Sequence, residues 1–339
     1  MSTIALFFFR PTLGGGSTTF TAHLYEALKA VGEDPIILRV GRTSSGKRKT
    51  FGEYAGVEYM KVDVATAKEY VKSMPTLMTA PIGAKDLPEP DLIQQLIALG
   101  MRVVIHDPNE FDIFDYLEGG KFKFKRPPFC IRPTMHRFYP EAVFIHHPYK
   151  PVTADMRIQR SKLACSTARI ASVKRSRMLL DANMEVPKVR RIELRGAEYR
   201  MYTYNLMKKY PPEIFKQSGG EFQFPKSFEA PVLVAAEYEL NFDMTRFPDD
   251  GGGTQYAQME AMNAGTVNVM HEDWWRFGKG EMVPGKHVLT VDGISAIIAL
   301  LKNPPSNHRR DEINANCATL LKRHAPKLIG GAYLQELKR

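Results

Sequence analysis

The chain has 339 residues, of which 44% are hydrophobic and 10% aromatic, with a formal net charge of +10 and a pI near 9.3. That length allows two domains, each with its own core, and the composition excludes large-scale disorder. No apolar run reaches the ~18–20 residues that cross a bilayer. Cys130, Cys165 and Cys317 are odd in number and far apart, which fits neither a disulfide framework nor a zinc site, so a reducing cytoplasm is the expected compartment. The positive charge tilts the chain toward polyanions, nucleic acid first, although charge that only keeps a protein soluble is an open alternative.

The opening MSTIALFFFRPT lacks a basic region and a cleavage site and is broken early by Arg10-Pro11, so it reads as a buried strand (4–9) rather than a signal peptide. STTFTAHLYEALKAVG (17–32) repeats apolar residues at helical spacing and stops on Gly32. Strands are predicted at 35–40, 75–82, 101–107 and 142–147, with a helix at 91–100, the βαβ alternation of an open, mostly parallel sheet. Residues 118–138, EGGKFKFKRPPFCIRPTMHRF, are basic, aromatic and broken by proline, an irregular excursion. Strand and helix signals resume at 162–167 and 169–183. A second α/β lobe is expected to begin near Pro187, with strands at 189–196, 230–238 and 266–270. Its helices are expected at 199–215, 253–265 and 291–303, followed by a helical tail at 309–338. The expected organisation is one lobe over 1–185, a second over 186–308 and a tail over 309–339 that packs back on the first, with a cleft between the lobes.

GRTSSGKRKT (41–50) nearly matches a phosphate-binding P-loop, but Arg48 stands where a metal-binding hydroxyl is needed. Gly52 and Gly56 interrupt the helix that should follow, so the segment reads as a basic surface loop. RPTLGGGSTTF (10–20) is better placed, between the first strand and first helix, where backbone amides and a helix N-terminus can meet a phosphate or sugar. It lacks the spacing of a dinucleotide fingerprint, and a plain tight turn is the alternative. DDGGGTQYAQMEAMNAGTVNVM (249–270) sets three glycines before a helix that carries Glu260 among Met259, Ala261 and Met262, then closes into a strand.

The stretch EAMNAGTVNV resembles the carboxylate-bearing helix of GT-B nucleotide-sugar glycosyltransferases. Together with LGGGSTTFTAHLYEALKAVGEDPIIL, MRVVIHDPNEFDIF and RIELRGAEYRMYTY, in this order, the chain is similar along nearly its whole length to the retaining DNA α-glucosyltransferases of T-even phages. That resemblance implies an α/β GT-B fold, two Rossmann-like lobes with an inter-lobe cleft, the first lobe on the acceptor side and the second on the UDP-sugar side. It implies that Arg195 and Arg200 face the donor diphosphate, that Glu260 binds the ribose hydroxyls, and that Gln255 and Tyr256 belong to the same donor site. His106 and Asp107 match the pair beside the acceptor hydroxyl, Asp107 as base or orienting acceptor and His106 as sugar ligand or proton carrier. Gly15, Gly16 and Ser17 line the other side. No permanently bound cofactor and no metal are expected, because two fixed cations can meet the charge on a leaving UDP.

The sequence departs from the family at Gln255, five before Glu260, where the family has an acid. It also has Gly252 eight before, where many other GT-B enzymes have one. The transferred sugar is therefore open, glucose or a pentose such as arabinose. In KFKFKRPPFCIRPTMHRFY (121–139), Lys121, Lys123, Lys125, Arg126 and Arg132 alternate with phenylalanines. Cations would hold phosphates and rings would stack beside an everted base, the alternative being a folded loop with solvated lysines. The expected activity is transfer of a sugar from UDP-sugar to a hydroxymethylated or hydroxylated pyrimidine, such as 5-hydroxymethylcytosine, in duplex DNA. The protein is expected to act as a monomer, in the cytoplasm and without a membrane partner. The alternatives are a GT-B enzyme with a glycan or lipid acceptor, and a non-catalytic DNA- or nucleotide-sugar-binding protein.

Overall fold

The computed structural model describes residues 3–10, 13, 15–80, 88–89, 91–106, 124–153, 160–215, 225, 227–247, 252–278 and 281–339. The chain divides into two units, Met1–Lys150 with Arg323–Arg339, and Pro151–Lys322.

In the first unit, β1 (Ile4–Phe8) leads through α1 (Gly15–Lys29) to β2 (Pro35–Val40), β3 (Arg48–Thr50) and β4 (Glu58–Val62). Then follow α2 (Val64–Ser73), β5 (Thr76–Ala80), α3 (Leu92–Leu99), β6 (Arg102–Ile105), β7 (Phe129–Cys130) and β8 (Val143–Phe144). The strands form one sheet in the order β3-β4-β2-β1-β5-β6-β7-β8, parallel except where β3 meets β4. Every residue of β1 and β5 is buried, so these strands read as continuous apolar runs, as the centre of a doubly covered parallel sheet requires. The near-P-loop segment runs into β3, an exposed edge strand, with no helix after it.

The second unit carries β9 (Lys162–Ser166), α4 (Ser176–Met184), β10 (Ile192–Leu194), α5 (Arg200–Lys209), the short α6 (Pro212–Phe215), α7 (Ala230–Ala236) and β11 (Tyr238–Asp243). After these come α8 (Tyr256–Asn263), β12 (Val267–His271), α9 (Glu272–Gly278), β13 (Leu289–Val291), α10 (Ile294–Lys302) and α11 (Asn307–Leu321). Its sheet is wholly parallel, in the order β10-β9-β11-β12-β13.

Last comes α12 (Pro326–Lys338), which belongs to the first unit. A side chain at Gly330 would overlap the Ala27 carbonyl, so glycine lets α12 lie directly on α1. Arg102 and Arg126 both donate to the Glu336 carbonyl near the end of α12, where a cation also opposes the helix dipole.

Several expectations change, the helix expected at 199–215 among them, which is α5 and the short α6. Residues 230–238 are a helix followed by a strand: Pro231 fits a first helical turn, and an apolar run such as APVLVAA has no period that separates helix from buried strand. The strand expected at 189–196 shrinks to β10, behind a 3-10 turn at Lys188–Arg190, and β13 precedes the helix expected at 291–303. Finally, the boundary placed between 185 and 186 falls inside the second unit, because β9 is hydrogen-bonded to β10 and β11. The expected tail also divides, with α11 in the second unit and α12 in the first. Among the described residues no helix is long and apolar enough to cross a membrane.

Candidate active site

In the second unit the connections run outward from β9 to β10 on one side and from β11 to β12 and β13 on the other. Such a reversal leaves a crevice at the carboxyl ends of the two central strands, where open α/β sheets take ligands. The segments that meet there are the one after β9, the one after β11 and the start of α8.

A buried polar chain ties them together. On β11, the side-chain oxygen Oδ1 of Asn241 accepts from the N–H and hydroxyl of Thr167, both at 3.1 Å, and its side-chain amide Nδ2 donates to Asn268 Oδ1 on β12 at 3.0 Å. Asn268 donates to the Gln258 carbonyl at 2.9 Å, and the Gln258 amide donates to Asp243 at 2.9 Å. Asp243 also accepts from the N–H and hydroxyl of Thr245. Buried polar groups are costly alone but rigid when linked, and Asn241, Asp243, Gln258 and Asn268 are all buried. The chain ends on Lys174, whose ammonium donates to Thr245 Oγ1 at 2.7 Å and to Gln255 Oε1 at 2.9 Å.

Lys174 closes a 3-10 turn, Ser172–Lys174, and the next residue, Arg175, adopts the left-handed region with φ of 46°. That conformation is strained for a residue with a Cβ. It is held by the Arg175 guanidinium, which grips the Asp273 carboxylate with both terminal nitrogens and reaches the Met244 carbonyl at 3.4 Å. Burial alone would raise the Asp273 carboxyl, but Arg175 and the neighbouring His271 outweigh it and hold it below the usual carboxylate range.

Of the residues expected around the donor, Gln255 is the residue before α8, and Tyr256 and Glu260 lie buried within that helix. Arg195 is half-buried directly after β10, its N–H bonded to the Ser166 carbonyl at the end of β9. Gly196 lies so close to the Ala168 carbonyl that any side chain would overlap it. Arg200 opens α5 and is exposed, past a stretch in which Ile170 pairs with residues 197–199. The expected basic pair is thus divided, with Arg195 at the strand ends and Arg200 on a helix surface. Sequence reasoning passed over Lys174, although Arg169 and Lys174 stand five apart just after β9, as Arg195 and Arg200 do after β10.

In the first unit the order of strands reverses between β1 and β5. Gly15 and Gly16 open α1, Gly16 exposed, and Ser17 is 6% exposed with a buried hydroxyl that has no hydrogen-bond partner among the described residues. An orphaned hydroxyl in the first turn of a helix suits a ligand oxygen there. His106 directly follows β6 and is buried, its Nε2 2.8 Å from the Thr79 carbonyl. A carbonyl only accepts, so Nε2 carries the proton and Nδ1 is the acceptor. Burial pushes the ring down to about 3 against the pull of that bond, with the Arg132 and Arg10 charges acting in the same direction as burial. A ring held neutral in this way is a hydrogen-bonding group rather than a proton carrier. Asp107 lies outside the described residues.

Of the expected DNA-facing cations, the three that are described are held differently. Lys121 and Lys123 lie outside the described residues, and Lys125 is exposed. Arg126 donates to the carbonyls of Glu336 and Leu337, and Arg132 is 7% exposed. For the two arginines this corrects the surface expected from sequence: Arg126 caps α12, and Arg132 is folded in beside the His106 region.

No protein-family model matches the chain, and no curated protein matches it in sequence. Solved structures do match in fold. Anabaena HepE, in complex with UDP and glucose, aligns over 100% of both chains with a TM-score of 0.71 at 11% identity. An alpha-glucosyltransferase in complex with UDP and a 13-mer DNA containing a central A:G mismatch aligns over 100% of both chains, also at 0.71 and 11%. A glycosyltransferase from Rickettsia africae covers 99% of this chain and 98% of its own with a TM-score of 0.64 at 10% identity. At such identities the likeness is one of fold: the chain has the α/β GT-B glycosyltransferase fold.

Proposed function

We propose that the protein transfers a sugar from a UDP-sugar to a hydroxymethylated or hydroxylated pyrimidine of duplex DNA. The observation that carries the transferase reading is Lys174, a fixed cation at the strand-order reversal of the second unit, bonded to Gln255 at the start of α8. In this reading the bond from the sugar C1 to the β-phosphate oxygen breaks, UDP leaves with the electron pair, and the acceptor oxygen joins C1 as its proton departs. Lys174 and Arg195 meet the charge that grows on the diphosphate, and Glu260 holds the ribose hydroxyls. A preorganised cation is the kind of group that stabilises a leaving anion without moving. Asp107 remains the candidate base, and neutral His106 orients a hydroxyl rather than carrying its proton.

The DNA acceptor is supported by the net charge of +10, by the four ordered motifs that resemble those of phage DNA α-glucosyltransferases, and by the structural neighbour in complex with DNA. Retention of configuration rests on that likeness too. A glycan or lipid acceptor is the second reading, favoured by the inward placement of Arg126 and Arg132. Incubation with UDP-glucose, UDP-arabinose and UDP-N-acetylglucosamine on DNA containing 5-hydroxymethylcytosine, read by nucleoside mass spectrometry, tests the acceptor. A glycosylated nucleoside is the expected product. Release of UDP only when a glycan or lipid replaces the DNA would move the acceptor to the second reading.

A further inference from the structure

Resting on the donor-site reading above, we infer that Gln255 selects the donor sugar by presenting hydrogen-bond donors, so that the preferred sugar carries a carbonyl-type oxygen, as a carboxylate or an acetamido group. The two ends of a glutamine amide are not interchangeable here. The Lys174 ammonium has three donors and no acceptor, so only the amide oxygen can face it at 2.9 Å. The amide nitrogen must then occupy the other arm, where it is closed off from solvent and has no hydrogen-bond partner among the described residues. Its own backbone N–H is already taken by Gln258 Oε1 at 2.9 Å, which fixes the residue at the mouth of α8. A buried donor left unpaired is costly, and a ligand oxygen removes that cost.

The surroundings reinforce the polarity. Thr245 directs its hydroxyl hydrogen to Asp243 and its lone pair to Lys174, and Asp243 is closed in by Thr245 and Gln258. The Lys174–Gln255 pair therefore offers a cation and an N–H₂ side by side. An sp² oxygen, which accepts and has nothing to donate, meets this pair better than a sugar hydroxyl whose hydrogen needs its own acceptor. A hexuronate and an N-acetylhexosamine both supply such an oxygen, at different ring positions.

Calorimetric titration of UDP, UDP-glucose, UDP-arabinose, UDP-glucuronate and UDP-N-acetylglucosamine into the intact protein tests this. The expected result is UDP binding, with either UDP-glucuronate or UDP-N-acetylglucosamine at least about tenfold tighter than UDP-glucose and UDP-arabinose, the size of one good hydrogen bond to a charged or buried group. Which of the two wins identifies the carboxylate or the acetamido oxygen. Gln255→Glu, which replaces the donor with an acceptor, and Gln255→Met, which removes both, should abolish the preference among the sugar nucleotides. If UDP binds and all four sugar nucleotides bind within about twofold of one another, the inference is overturned and the donor site stands. A preference that survives in both variants also overturns it. Absence of UDP binding to the wild-type protein overturns the donor-site reading, and this inference with it. If both variants lose UDP binding, the wild-type series decides.

Discussion

The two sheet ends differ in charge. In the first unit the hydrogen-bonded side chains near the strand-order reversal are hydroxyls and a neutral imidazole, with the Arg10 and Arg132 charges acting on that ring: Thr21 donates to Thr79, Thr79 to the Phe7 carbonyl, and His106 to the Thr79 carbonyl. In the second unit the corresponding place is ionic, with Lys174 at the end of a buried amide and carboxylate chain and Arg175 clamped to Asp273. A neutral imidazole suits an uncharged hydroxyl, and a fixed cation suits a departing diphosphate. The contrast can be broken at either end.

The largest expected effect is at Lys174. Lys174→Ala should lower turnover about 10²–10³-fold, the usual loss for one preorganised charge stabiliser, with the far-ultraviolet circular dichroism unchanged. Arg200→Ala should fall well short of that, because Arg200 is exposed on α5. A loss in Arg200→Ala equal to that in Lys174→Ala would return Arg200 to the donor-facing role expected from sequence.

Next is the packing that supports the neutral end. Gly330→Ala should destabilise the protein by about 1–3 kcal/mol in urea unfolding, since the new methyl meets the Ala27 carbonyl of α1. Alanine is the better helix former, so a stability gain would show that α12 does not lie against α1 in this way.

Acid should separate the units by a smaller step. Burial pushes both His23 and His106 down to about 3, and both belong to the first unit. Below the unfolded value near 6.5 the unfolded chain binds protons that the folded rings refuse. The stability is therefore complete above about 6.5 and is lost progressively toward about 3, by at most about 1.4 kcal/mol per pH unit for each ring. Amide exchange in β1 and α1 should accelerate on acidification before the fluorescence of Trp274 and Trp275, both in the second unit, changes. Tryptophan fluorescence changing first would contradict the neutral assignment.

The smallest effect belongs to the exposed lysine. If duplex DNA lies on the 124–139 segment, Lys125→Ala should reduce the log–log salt dependence of binding by about 0.9, one phosphate contact. Arg132→Ala should instead alter folding, because that side chain is buried.

Much of this was legible in the sequence where the pattern was long. The opening strand, the helix with its Gly-rich entry and the Glu260 helix appear within a few residues of their predicted bounds, because continuous apolar runs and helical periodicity carry the information. APVLVAA was misread because seven apolar residues have no period, and β13 was missed because three residues are too few to show one. The assignment of β9 to the second unit depends on hydrogen bonds to β10 and β11, which no local pattern encodes. Lys174 escaped notice for a related reason. Only the folded chain sets it beside Gln255, 81 residues away in sequence. Arg126 and Arg132 looked like surface charge because sequence shows charge and not the carbonyls or the burial that claim it.

The central claim is that the crevice after β9 and β11 takes the nucleotide diphosphate. Amide exchange followed by mass spectrometry, with and without UDP, measures this directly. Protection confined to residues 167–175, the segment after β11 and the first turn of α8, and absent in Lys174→Ala, is the predicted result. UDP binding with no protection in those three segments, or with the same protection in the variant, would contradict it.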